Sequence, residues 1–200
     1  MPPRGTRDIL PAEARVRERV IDAARERFAA YNYARIVTPT FEETEVFLRG
    51  VGMTTDVVRK EMYTFTDGGG RSLTLRPEGT APVARAFVEH GMHKLSAPVK
   101  LWYLAPMFRY EAPQAGRFRE HYQLGAEALG SDDPLLDAEA ITLLADLYGR
   151  LEVPGVRLAV SSMGDAESRE PYRAALVAYL ERFAGELGAE GRERLRDNPL

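Results

Sequence analysis

From Pro11 onward an apolar residue recurs every three or four positions, at Val16, Val20, Ala24, Phe28 and Tyr31, with arginine and glutamate between them. This period matches the turn of a helix and predicts an amphipathic helix with one buried side, ending near Asn32. The β-rich run Arg35-Ile36-Val37-Thr38 follows, and Pro39 stops it because proline has no N–H to give a ladder. Two short strands are predicted around Met62-Tyr63-Thr64-Phe65 and Ser72-Leu73-Thr74-Leu75, joined by a hairpin turn across Gly68, Gly69 and Gly70. These glycines lack the Gly-Lys-Ser/Thr ending and the following helix of a phosphate-binding loop. A helix is predicted from Thr80 to about Gly91, with Pro82 in its first turn. Two longer strands, Val99 to Tyr110 and Phe118 to Leu129, are separated by a polar loop. Asp133-Pro134 then starts a helix whose apolar stripe is Leu136, Ala140, Leu143, Leu144, Leu147 and Leu151. Val153-Pro154-Gly155 breaks it, and a strand at Val156 to Val160 and a helix from about Glu167 to Leu187 complete the pattern.

The loop between the two long strands is far too short for a helical crossover, so they must be antiparallel. The fold class is therefore α+β, an antiparallel sheet flanked by helices. Val153 to Gly155 is the best candidate for a domain boundary, and it reads as an ordinary loop. A hydrophobic fraction of 44% and a charged fraction of 28% are those of an ordinary globular protein. The net charge of -3 means that any nucleic-acid contact must rest on a local basic feature. The absence of cysteine excludes disulfides, thiolate zinc sites and thiol catalysis. The start has no apolar signal-peptide core, and no apolar run approaches the roughly 18 residues of a membrane span. A cytoplasmic location with no membrane contact is expected.

Alternation along the second long strand puts His121, Gln123, Gly125 and Glu127 on one face and Tyr122, Leu124, Ala126 and Ala128 on the other. The second set suits a core. The first carries an imidazole, an amide and a carboxylate, with a gap at Gly125 where a ligand could approach the backbone. Such a row is costly against apolar neighbours and belongs either in water or in the wall of a pocket. Arg109, Arg117 and Arg119 surround the preceding loop, and their guanidiniums suit phosphate oxygens or ion pairs with Glu111 and Glu120. His90 and His93 are spaced as metal ligands could be, but they read as solvated residues at a helix end, and no metal site is predicted. Trp102 and Tyr103 read as core and sheet-face aromatics.

Phe108-Arg109-Tyr110-Glu111, a loop and a second strand resemble motif 2 of the class II aminoacyl-tRNA synthetases. Pro113-Gln114-Ala115-Gly116-Arg117-Phe118-Arg119, with Gln123 and Glu127 beyond it, resembles the histidyl-tRNA synthetase family in particular. Arg4-Gly5-Thr6-Arg7-Asp8 is similar to that family's N-terminal signature, and Thr38-Pro39-Thr40-Phe41-Glu42-Glu43 with the preceding helix to motif 1. Leu75-Arg76-Pro77-Glu78-Gly79-Thr80 resembles its amino-acid-binding turn. The likeness spans nearly the whole chain, with its motifs in order.

The resemblance implies an enzyme that joins L-histidine to ATP as histidyl-adenylate and then to tRNA(His), with Mg²⁺ accompanying ATP. It implies Arg109 as the catalytic arginine gripping the α-phosphate and the substrate carboxylate, and Arg117 as a ligand of the ATP phosphates. Glu111 is implied near adenine or the tRNA acceptor end, and His121 beneath adenine. Glu78, Thr80, Gln123 and Glu127 are implied as histidine contacts, together with Arg109. Motif 1 implies a homodimer. Three positions depart from the family pattern: Ala112 stands where many members have arginine, the order His121-Tyr122-Gln123 replaces Phe-His-Gln, and Ser161-Ser162-Met163-Gly164-Asp165 lacks the leading asparagine. The chain ends after Asp197-Asn198-Pro199-Leu200, before the motif 3 and anticodon-binding domain that the resemblance implies, so residues 1–200 are expected to be an N-terminal portion of the catalytic core and inactive alone. Two other readings stay open. One is a histidine-sensing regulatory subunit of ATP phosphoribosyltransferase, which is similar to this core but typically erodes the ATP-gripping arginines. The other is an unrelated RNA-binding module using Arg117, Phe118, Arg119 and Tyr122 as a stacking platform.

Overall fold

The computed structural model describes residues 1–51, 61–110, 117–161 and 164–197. The chain divides into two compact units, Met1–Val156 and Arg157–Leu200. The division falls one residue beyond the loop that the sequence marks as the best boundary.

In the first unit α1 spans Pro11–Ala30, β1 Ala34–Arg35, β2 Phe41–Glu43 and α2 Thr44–Val51. Next come β3 (Tyr63–Thr66), β4 (Ser72–Leu75), α3 (Thr80–Glu89) and a 3-10 turn at Met92–Lys94. The long strands β5 (Val99–Phe108) and β6 (Glu120–Leu129) are followed by α4 (Leu135–Arg150). One sheet has the order β1-β5-β6 and the other β2-β4-β3. β5 and β6 are antiparallel, with Val99 opposite Leu129 and Phe108 opposite Glu120, while β1 runs parallel to β5.

β5 is covered on both faces, which explains its nearly continuous apolar run. On one face Trp102 stacks on Phe28 of α1, with centroids 5.0 Å apart and planes 7° from parallel, beside Ala23, Ala24, Leu143 and Leu147. On the other, Leu101, Tyr103, Ala105 and Met107 pack with Val83 of α3. Pro106 is accommodated in this strand because β1 pairs only with Leu101 and Trp102, so no bond to β1 is lost at residue 106. Between α3 and the second sheet, Arg85 pairs with the buried Glu42 at 2.7 Å.

Several sequence expectations change. The predicted strand at Arg35 to Thr38 is paired only at Ala34–Arg35, and the short β2 and α2 were not foreseen. The stripe of α1 is buried at Ala24 and Phe28, whereas Val16 and Val20 are exposed because the contacts with β5 reach only its later turns. In α4 the buried contacts are Leu143 and Leu147, with Leu144 exposed. On β6 the expected core face is half realised: Leu124 packs against the Trp102 cluster, but Tyr122 is exposed. β6 is the sheet's outer strand, so it is covered less completely than β5.

In the second unit α5 spans Ala166–Glu181 and α6 Ala189–Asp197. Asp165 and Ser168 form a reciprocal capping box that fixes the start of α5. The predicted strand at Val156 to Val160 is not formed, and Val156, Leu158 and Val160 are exposed. Alternation marks residues suited to a strand, but a strand exists only where an edge accepts its hydrogen bonds.

Candidate active site

The turn between β4 and α3 is fixed by a buried cation. Arg76 is 4% exposed and donates to the carbonyls of Pro106 (2.8 Å), Thr38 (2.9 Å) and Pro39 (3.2 Å). Burial lowers its pKa, and the charge of Glu42 opposes that shift. The Arg76 carbonyl accepts the Phe108 N–H at 2.9 Å, so one residue joins the proline segment, the turn and the end of β5. The guanidinium is committed to backbone oxygens.

Two residues on, the Glu78 carboxylate accepts the N–H groups of Thr80 (2.5 Å) and Ala81 (3.0 Å). It thereby satisfies two of the donors that the first turn of α3 leaves unpaired, and its charge favours the positive end of the helix. Thr80 is thus held at the start of α3, where its Oγ1 donates to Glu127 Oε1 at 2.8 Å.

Glu127 stands on β6 opposite Leu101, and Gln123 opposite Ala105. Between them on the neighbouring strand is Tyr103, opposite Gly125. A Cβ added at either Gly79 or Gly125 would overlap the Tyr103 ring. The gap expected at Gly125 for a ligand is therefore filled from within the sheet: the two glycines leave the space that the Tyr103 ring occupies. Gln123 Nε2 donates to Tyr103 Oη at 3.3 Å, and Oη is 3.5 Å from Glu127 Oε1. Burial raises the Glu127 pKa, with the negative charge of Glu78 adding to it and the Thr80 hydroxyl opposing. Burial and the Glu127 charge push Tyr103 up to about 12, so its hydroxyl stays protonated. The group is a half-buried carboxylate ringed by hydroxyls and an amide, suited to a cationic or N–H-bearing ligand.

Arg109 adjoins this group through the turn. Its Nε donates to the Pro77 carbonyl at 2.8 Å, and its backbone N–H to the Arg119 carbonyl at 2.9 Å. Arg117 opens the returning limb, and His121 lies opposite Met107 on the same face of β6 as Gln123 and Glu127. The fold thus gathers Glu78, Thr80, Gln123 and Glu127, with Arg109 tied to the same turn. Glu111 and Ala112 lie outside the described residues. Among the described residues no three histidines or carboxylates gather into a metal-binding group. His90 caps the end of α3, and His93 meets the edge of Phe87 at 6.3 Å. Sequence reasoning missed the parts of Tyr103 and Arg76. The signal for Tyr103 was a pair of glycines, Gly79 and Gly125, that only the β5–β6 register connects.

The family description "Histidyl-tRNA synthetase" matches residues 5–167. The chain is 54% identical over 199 residues to the histidine–tRNA ligase of Anoxybacillus flavithermus, covering 99% of this chain and 47% of that protein. It is 53% identical, with the same coverage, to that of Geobacillus thermodenitrificans. It therefore spans about half the length of the curated relatives it matches. The apo S. aureus histidyl-tRNA synthetase structure superposes with a TM-score of 0.75 at 38% identity, over 100% of this chain and 47% of that one. A Bacillus halodurans protein described as an ATP phosphoribosyltransferase regulatory subunit/histidyl-tRNA synthetase has a TM-score of 0.72 at 24% identity, over 98% of this chain and 54% of that one, a likeness of fold alone. With the family description matched over most of its length, the chain belongs to the histidyl-tRNA synthetase family of class II aminoacyl-tRNA synthetases.

Proposed function

We propose that residues 1–200 form the N-terminal portion of a class II catalytic core that, within a longer cytoplasmic protein, activates L-histidine with ATP and transfers it to tRNA(His). The observation that carries this reading is the convergence of Thr80, Gln123 and Glu127 around Tyr103, beside a turn that also holds Arg109. Glu127 suits the ammonium or an imidazole N–H of histidine, and Thr80 and Gln123 supply neutral polar contacts that fix its orientation. Glu78 contributes charge beside the same group while capping α3.

In this reading the histidine carboxylate attacks the α-phosphorus of ATP, a P–O bond forms, and pyrophosphate leaves with the bonding pair. Arg109 holds both reacting groups in line, and Arg117 takes the outer phosphates, so catalysis is mainly positioning and cationic stabilisation. His121 offers a ring for adenine, and Glu111 is assigned to adenine or the acceptor end. Mg²⁺ bound with ATP would neutralise phosphate charge. Val16 and Val20, exposed on α1, support a homodimer built through motif 1.

Calorimetric titration of L-histidine and of ATP with Mg²⁺ tests this reading. Glu127→Ala should abolish histidine binding and Arg109→Ala should abolish ATP binding. Histidine binding without ATP binding would favour the regulatory-subunit reading. Salt-sensitive RNA binding with neither small ligand would favour the RNA-binding module. If a chain extended to the relatives' full length bound neither histidine nor ATP, the synthetase reading would fail.

A further inference from the structure

The N-terminal signature has no part in the chemistry above, yet it is bonded to the arginine-bearing hairpin. The Thr6 N–H and Oγ1 both donate to the Pro3 carbonyl, at 3.0 and 2.8 Å, closing a turn in which Gly5 has φ +85°. That conformation penalises any Cβ. The Gly5 carbonyl accepts the N–H of Arg119 at 2.7 Å and that of Glu120 at 3.4 Å. The Arg119 carbonyl in turn accepts the Arg109 N–H at 2.9 Å, so a continuous run of backbone bonds joins Gly5 to Arg109. The fit is close, since a Cβ on Gly5 would lie 2.6 Å from Arg119 Cγ and 2.7 Å from Cδ. The Arg119 guanidinium rests 3.8 Å from the Tyr110 ring centroid.

Arg7 braces the same contact from the other side. It makes a two-pronged pair with Glu13 of α1, at 2.9 and 2.6 Å, and its guanidinium lies 4.9 Å from the Phe118 ring centroid. The opening segment is therefore anchored to α1 and presses on three consecutive residues of the returning limb, Phe118 to Glu120.

We propose that Gly5 is a positioning residue for ATP: its carbonyl fixes Arg119, and through the Arg119–Arg109 backbone bond it sets the reach of Arg109 toward the nucleotide phosphates, with Arg7 as the brace. The inference rests on the assignment of Arg109 to ATP. It predicts a larger loss for ATP than for histidine, because Arg109 meets histidine only at its carboxylate, while the Thr80, Gln123 and Glu127 group that takes the rest is held by separate bonds.

The test is Gly5→Ala in the 200-residue chain, read by ATP–Mg²⁺ and L-histidine titrations and by amide hydrogen exchange. Displacing the residue 5 carbonyl from Arg119 by the added Cβ should weaken ATP binding about threefold to tenfold. Histidine affinity should stay within about twofold, and exchange should quicken at Arg109, Arg119 and Glu120. Equal weakening of both ligands, or of neither, would overturn the proposal, since a merely structural role would act that way. Should Gly5→Ala fail to fold, Arg7→Ala leaves the turn intact and must produce the same split in smaller measure. If a parent chain extended to the relatives' full length also bound no ATP, the assignment of Arg109 would fail by itself. Exchange would then decide the clamp: quickening confined to these three amides upholds it, and unchanged exchange refutes it.

Discussion

Glu127 shows how a single side chain can be placed for function at some expense to stability. Its carboxyl is buried near Glu78, so its pKa in the folded chain lies above the ordinary value of 4.5. The folded state then binds the proton more tightly than the unfolded state, and stability declines as pH rises through the folded pKa. The full contribution is present below about pH 4.5. Glu127→Gln cannot ionise, so its melting temperature should fall less than that of the parent between about pH 4.5 and pH 8. An unchanged decline would show that another group sets the pH dependence. Gly125 is instructive at the same scale: by sequence it was an opening for a ligand, and in the fold it makes room for Tyr103.

At the scale of elements, a helical period identifies a face without saying how much of it finds a partner. Phe28 is 3% exposed and stacked on Trp102, whereas Val16 on the same predicted stripe is 57% exposed. Phe28→Ala should cost about 3–5 kcal/mol, as removal of a buried aromatic does. Val16→Ala should stay within about 0.5 kcal/mol. Urea titration of both variants checks the pair, and comparable losses would mean that α1 is covered along its whole length in solution. Helices α1, α3, α4 and α5, the glycine-linked β3–β4 hairpin and the long antiparallel pair were legible from period and loop length, whereas α2 and α6 were not. The first sheet's β1 contact was not, because a parallel pairing between residues far apart in the chain leaves no local pattern.

For the whole molecule, the division at Val156 and Arg157 carries its own expectation. Both apolar clusters of the first unit are built from residues between Ala23 and Leu151. Leu158 and Val160, just beyond the division, are exposed. Limited proteolysis should therefore cut first between Val156 and Ser161, and a chain ending at Val156 should keep a cooperative urea transition. Loss of cooperativity would mean that the second unit contributes to the first unit's core.

By itself the sequence determined the α+β class, the antiparallel β5–β6 pair, and the alternation that puts His121, Gln123 and Glu127 on one face. These follow from short-range rules: side-chain period, loop length and the special chemistry of proline and glycine. The motifs also sufficed to indicate the family. Only the tertiary structure decided that Arg76 is spent on three backbone carbonyls, that Glu78 caps α3, and that Tyr103 fills the space between two glycines. It also decided that Val156 to Val160 is left without a ladder and that Gly5 holds Arg119. Each of these depends on which groups meet across distant parts of the chain, and an unpaired donor or a missing Cβ acquires its meaning only from the neighbour that folding brings to it.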